Sequence, residues 1–109
     1  MFMHWRRDGT SYPEGQDGLM EWGKDLMNPK IKIVKQETLP NGYWVSTVWL
    51  GLDHRWGKGQ PLIFETMVFY QGESDLDMQR YSTEAEAIVG HKALVKKWSR
   101  KKPKNKYVT

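Results

Sequence analysis

The sequence predicts an α+β fold: a four-stranded antiparallel meander with a C-terminal helix packed on one face and a short N-terminal helix. Three observations predict it. Asn41-Gly42 stands between the apolar runs KIKIVKQET (30–38) and YWVSTVWLGL (43–52), the strongest short hairpin signal a sequence offers. Two further runs follow, LIFETMVFY (62–70) and DLDMQRY (75–81), the first β-branched and aromatic, the second alternating Leu76 and Met78 with polar residues. Thr83 with Glu86 three residues on reads as a capping box opening a helix.

The elements can be taken in chain order. Residues 4–16, HWRRDGTSYPEGQ, are punctuated by Gly, Pro and Ser and predict an arm rather than a helix or strand. A helix is expected from Gly18 to Met27 with Asp17 as its N-cap. Leu19, Trp22 and Leu26 form one apolar stripe destined for the core, and Asn28-Pro29 ends the helix. On the second strand, Tyr43, Val45, Thr47 and Trp49 share one face, and Trp44, Val48, Leu50 and Leu52 the other. On the third, Leu62, Phe64, Val68 and Tyr70 oppose Ile63, Met67 and Phe69. Both faces are apolar, which a sheet solvated on one side does not tolerate. Each face therefore needs a cover, and a homo-oligomer is one way to supply the second.

At about 100° per residue, the C-terminal helix gathers Ala87, Ile88, Leu94, Val95 and Trp98 on one side with His91 near its middle. The ordinary outcome for such a histidine is a buried imidazole bonded to a backbone carbonyl or a strand side chain. The functional alternative is a ligand-contacting or pH-sensitive group. Gly90 beside it lowers helix stability and predicts close approach by a neighbouring backbone.

Composition narrows the function. With 109 residues the chain fits one domain, expected over 1–100 with residues 1–16 as its arm, followed by a basic tail over 101–109. Zero Cys removes disulfides, thiol nucleophiles and Cys-based zinc sites. The start MFMHWRRDGT lacks the apolar region of a signal peptide and no stretch approaches membrane-spanning length, so a cytoplasmic protein is expected. The net charge of +4 is unevenly divided: from Lys92 onward eight cations meet no acid, whereas residues 1–91 are net −4. Such a tail can bind nucleic acid through its phosphates, or can simply complement the helix dipole. An acidic body argues against nucleic acid as the main partner.

Catalytic patterns are missing. His4, His54 and His91 lack the paired spacing of metal ligands, and no nucleophile-elbow pattern supports a Ser-His-Asp site. GKG lacks the spacing of a phosphate-cradling loop. Asp75 and Asp77 suit an exposed edge strand. No metal, cofactor or catalytic residue is assigned, and an enzyme is not called for.

One stretch exceeds what a turn needs. DHRWGKG (53–59) joins two strands, yet it offers a planar Arg55 fork, a mobile Lys58 charge, a Trp56 face for stacking and His54 as donor or acceptor. The arm repeats this vocabulary in His4, Trp5, Arg6 and Arg7. An anionic small molecule with an aromatic ring, a nucleotide, suits His54, Arg55, Trp56, Lys58, Trp5, Arg6 and Arg7 best. Exposed aromatics equally suit an inhibitor or adaptor that binds a host protein.

The runs LPNGYWVSTVWLGLDHRWGKGQPLIFETMVF and RYSTEAEAIVGHKALVKKW resemble a family of small proteins encoded by bacteriophages and prophages. The resemblance spans about Glu37 to Trp98 and carries no catalytic residues. It implies a virus-encoded accessory protein acting in the host cell cytoplasm, and it implies no activity. A binding protein that sequesters a host immune signal is the resulting expectation.

Overall fold

The structure is a computed structural model, and it describes residues 4–52, 59–71 and 73–102. Seven elements follow one another: α1 (Gln16–Leu26), α2 (Pro29–Lys32), β1 (Ile33–Thr38), β2 (Trp44–Trp49), β3 (Phe64–Tyr70), β4 (Glu73–Tyr81) and α3 (Glu84–Ser99). The strands form one antiparallel sheet in the order β1-β2-β3-β4, the expected meander, and α3 packs on one face.

The hairpin between β1 and β2 closes where Asn41-Gly42 demanded it. Gly42 has φ 94°, and the Leu39 and Gly42 amides donate to the Tyr43 and Leu39 carbonyls at 2.7 and 2.9 Å. Only glycine takes that backbone angle without cost. Alternation along β2 and β3 then sends Val45, Thr47 and Trp49, with Phe64, Thr66 and Val68, beneath α3, where all are buried. Two clusters make the core. One joins Leu39, Tyr43, Val45, Val68, Tyr70 and Leu94. The other joins Tyr12, Trp49, Ile63, Phe64 and Ala87, with Trp5, Trp22 and Leu26 packed against it.

Helix α3 starts as its capping box requires: the Thr83 hydroxyl accepts from the Glu86 amide at 3.2 Å. Ala87, His91 and Leu94 are buried along it. Ile88, expected on the same side, stays partly exposed, because the helix turns its Ala87–His91–Leu94 line directly onto the sheet and leaves Ile88 at the flank.

Three local expectations are corrected. Helix α1 starts one turn-fraction earlier, at Gln16, with Gly15 rather than Asp17 at the cap and no side-chain cap bond. Gly18 is buried and Trp22 and Leu26 are half-buried against the core, while Leu19 remains 50% exposed. The reason lies in the arm: a Cβ on Gly18 would sit 1.7 Å from the Pro13 carbonyl oxygen, so the helix presses its bare glycine against the arm and rotates Leu19 outward. Asn28-Pro29 ends α1 but also opens α2, since the Asn28 side chain accepts from the Lys30 amide and Pro29 suits the first helical turn. The first strand therefore begins at Ile33, after a single helical turn.

The start of the tail is held by the fold. The Asn41 side-chain amide donates to the Lys101 carbonyl at 2.9 Å and the Tyr43 hydroxyl to the Lys102 carbonyl at 3.1 Å. No described helix is long and apolar enough to cross a membrane.

Candidate functional site

The β2–β3 connection is tightly built at its root. Leu50 and Gly51 both donate backbone amides to the Ile63 carbonyl, at 2.8 and 3.2 Å. Gly51 takes φ 71°, and a Cβ there would lie 2.6 Å from the Trp49 ring, 2.7 Å from the Trp5 carbonyl and 2.8 Å from Trp22 Nε1. Glycine is therefore required twice, for its backbone angle and for space. Trp22 Nε1 donates to the Leu50 carbonyl at 2.9 Å, and Trp49 Nε1 to the Trp5 carbonyl at 3.0 Å. The Trp5 amide donates to the Gly51 carbonyl at 2.9 Å. Three tryptophans thus enclose one glycine.

The arm is joined to this root. His4 pairs with Leu52 in an isolated bridge, and the His4 ring stacks on Trp22 with centroids 4.2 Å apart. Burial holds the His4 imidazole below its ordinary pKa, which favours the neutral ring near neutral pH. The arm therefore joins the β2–β3 connection at His4–Leu52, Leu52 being the residue before DHRWGKG. His54, Arg55, Trp56 and Lys58 themselves lie outside the described residues.

The arm's other candidates are engaged within the fold. Trp5 uses both its amide and its carbonyl on the loop root. Arg6 donates to the Ser11 carbonyl at 2.7 Å and lies 4.7 Å over the Tyr12 ring. Arg7 grips Glu84 with two hydrogen bonds of 2.6 and 2.9 Å and reaches the carbonyls of Ile31 and Ile33 at 3.1 and 3.3 Å. That fork ties the arm to α3 and to the α2–β1 junction. The hydrogen bonds from Arg7 hold the Glu84 carboxyl below its usual range. Both arginines contribute to the structure of the arm through these bonds.

His91 lies on a chain of polar groups between α3 and the sheet. Its Nε2 is 2.9 Å from Glu37 Oε1, and its Nδ1 is 2.7 Å from Thr47 Oγ1. Thr47 Oγ1 is 2.5 Å from Thr66 Oγ1, and Thr66 hydrogen-bonds the Tyr81 hydroxyl. The chain crosses every strand. Glu37 is on β1, Thr47 on β2, Thr66 on β3 and Tyr81 on β4. A carboxylate only accepts, so in the neutral ring Nε2–H donates to Glu37 and Nδ1 accepts from Thr47. Thr66 can then donate to Thr47 and Tyr81 to Thr66, so that each hydroxyl proton has an acceptor. Among the described residues no buried side-chain polar atom is left without a partner. The hydrogen bond from His91 holds Glu37 below its ordinary pKa, and burial raises Tyr81. His91, Thr47 and Thr66 are fully buried, while Glu37 is 35% exposed at the end of the chain, and the bonds tie α3 to the sheet.

Sequence reasoning placed His91 facing the sheet and Thr47 on the face of Val45 and Trp49, but named none of Thr47, Glu37, Thr66 and Tyr81 as partners. The available signal was threonine at core-facing positions of two adjacent apolar strands, opposite a core-facing histidine. Pairing them required the strand register, Thr47 opposite Thr66.

The second sheet face carries a groove of about 680 Å³. Leu26, Met27 and Pro29 form its wall, and Val48, Met67 and Phe69 belong to its floor. Among the described residues no group of three His, Asp or Glu is arranged to hold a metal ion.

The class these features define is a small α+β domain: one helix over one sheet face and a β2–β3 connection rooted in tryptophans. Compared with known protein families, curated proteins and solved structures, the chain matches none.

Proposed function

We propose that this is a non-enzymatic binding protein that takes an anionic small molecule such as a nucleotide at the 53–59 connection. The observation that carries the reading is the loop root: Trp5, Trp22 and Trp49 converge on Gly51, and His4 pairs with Leu52. A plain hairpin needs only a short polar turn, whereas binding loops are set on rigid supports. His54, Arg55, Trp56 and Lys58 supply the contacts, with Arg55 on phosphate and Trp56 on the base. Trp5 and His4 serve as the platform, and Arg6 and Arg7 act by holding the arm in place. In a virus-encoded accessory protein acting in the host cytoplasm, such a site suits sequestration of a nucleotide immune signal.

The test is native mass spectrometry of protein purified from a bacterial host, followed by denaturation and analysis of any released small molecule. A phosphorylated aromatic compound is expected, lost in Arg55→Ala and Trp56→Ala with the fold retained by circular dichroism. Release unaffected by either substitution overturns the loop as the site. An empty protein that captures a host protein moves the function to the alternative of an adaptor or inhibitor.

A further inference from the structure

Helix α3 covers one sheet face, whereas α1 and α2 border the other along its β1–β2 side. On that second face Trp44 and Phe69 stack with ring centroids 4.8 Å apart, and Met67 pairs across strands with Met78. Trp44, Val48, Met67 and Phe69 are half-buried, and among the described residues only the α1–α2 wall stands beside them. Water is an unfavourable neighbour for a floor of this composition.

Two polar pairs of the face are satisfied within it. Glu65, its side chain 12% exposed, pairs with Arg80 at 3.1 Å, and the Gln36 side chain donates to Ser46 at 2.9 Å. A partner is therefore met mainly by apolar atoms and by the paired Glu65–Arg80 charges, with Lys32 a cation at the groove's edge. This matters for self-association, because residues 1–91 are net −4 and two copies repel wherever acids face acids.

Shape and area add to this. The wall carries Met27, 86% exposed, on the β1 side, and the opposite side is the low ledge of β4 with Met78, 41% exposed. A two-fold axis in the face plane and parallel to the strands lays each wall over the other copy's ledge, so that each Met27 meets a Met78. Four strands of about six residues give roughly 400 Å² of flat footprint before side-chain relief. Stable interfaces bury about 800 Å² of accessible surface per partner. Reaching that value takes the whole face and the wall, which a sheet-on-sheet contact uses and a peptide lying in the groove does not.

We infer that the open face, with Trp44, Val48, Met67, Phe69 and Met78 as its centre and Met27 as its rim, is the interface of a symmetric dimer of this chain. The result is a helix–sheet–sheet–helix sandwich in which both β2–β3 connections leave at the same end. The inference does not depend on the ligand reading, since the dimer forms whether or not the loop binds anything.

Light scattering after size exclusion at about 50 μM chain should give twice the 12.9 kDa chain mass. Phe69→Lys should raise the dimer dissociation constant by at least about 100-fold, because a buried unpaired charge is costly. Met78→Lys should do the same while leaving thermal unfolding of the monomer unchanged, since that side chain is exposed in the single chain. The chain holds no cysteine, so orientation can be read directly. Mixed Met27→Cys and Met78→Cys chains should form a covalent dimer on oxidation, and neither variant alone should. A monomer at this concentration, a dimer indifferent to both lysines, or cross-linking within either single variant overturns the inference. A monomer that instead binds another protein through Phe69 overturns the second copy as occupant.

Discussion

At the residue scale, His91 shows how a polar group can sit wholly inside a small core. Its two ring nitrogens are spent on Glu37 and Thr47, so burial costs little as long as both partners remain. Removing one end leaves the others unpaired, which is the expensive event. His91→Ala is expected to destabilise the domain by about 2–4 kcal/mol in urea unfolding, combining a cavity with stranded hydroxyls. His91→Phe keeps the volume but offers no ring nitrogen, and it too is expected to destabilise. If His91→Phe proves as stable as the parent, the polar chain contributes nothing to stability. Arg7 makes the complementary point. Its guanidinium has the chemistry to hold a phosphate, and in the fold it meets Glu84 and the carbonyls of Lys30, Ile31 and Ile33.

At the element scale, α3 depends on one missing side chain. A Cβ on Gly90 would stand 2.0 Å from the Tyr81 hydroxyl, so the glycine admits the tyrosine that ends the polar chain. Alanine is the better helix former by roughly 1 kcal/mol. Gly90→Ala is nevertheless expected to lower stability by about 1–3 kcal/mol through overpacking and loss of the Tyr81–Thr66 contact. Equilibrium unfolding checks the sign, and a gain in stability would mean Tyr81 moves aside freely. The strand elements answer to simpler rules. Alternation along β2 and β3 sends one set of side chains beneath α3 and the other onto the open face, and the Asn41-Gly42 turn sets which set is which.

At the scale of the whole molecule, three carboxylates fasten α3 to the rest. Glu37 meets His91, Glu84 meets Arg7, and Asp77 accepts from Lys97 and Trp98 at 2.8 and 3.0 Å. Hydrogen bonds from these partners hold Glu37 and Glu84 below their ordinary values. Burial pushes Asp77 up, but Lys97 and Trp98 outweigh it and the net direction is down. Groups with folded pKa values below the unfolded ones stabilise fully above the ordinary carboxylate range and lose that contribution as pH falls through the folded values. The urea midpoint is therefore expected to drop steeply below about pH 4.5. A smaller, earlier loss begins as pH falls below 6.5, the ordinary value from which burial depresses His4, because the unfolded chain then takes up a proton that the folded one resists. A midpoint constant from pH 7 to 3 would show that these contacts are worth little in solution.

The sequence by itself determined the meander, its two apolar faces, the capped C-terminal helix and the inward direction of His91. These follow from local periods of 2 and 3.6 residues and from turn chemistry, which need only near neighbours in the chain. Trp5, Trp22 and Trp49 are far apart in sequence, and nothing in their spacing announces that they close on Gly51. The same holds for Thr47, Thr66 and Tyr81 on the polar chain, and for Arg7 and Glu84. Leu19 points outward because a glycine one residue earlier was the better fit to the arm. Only the tertiary structure decided these, because which cation is spent inside the fold and which face stays open depend on long-range contacts, whose partners no local pattern names.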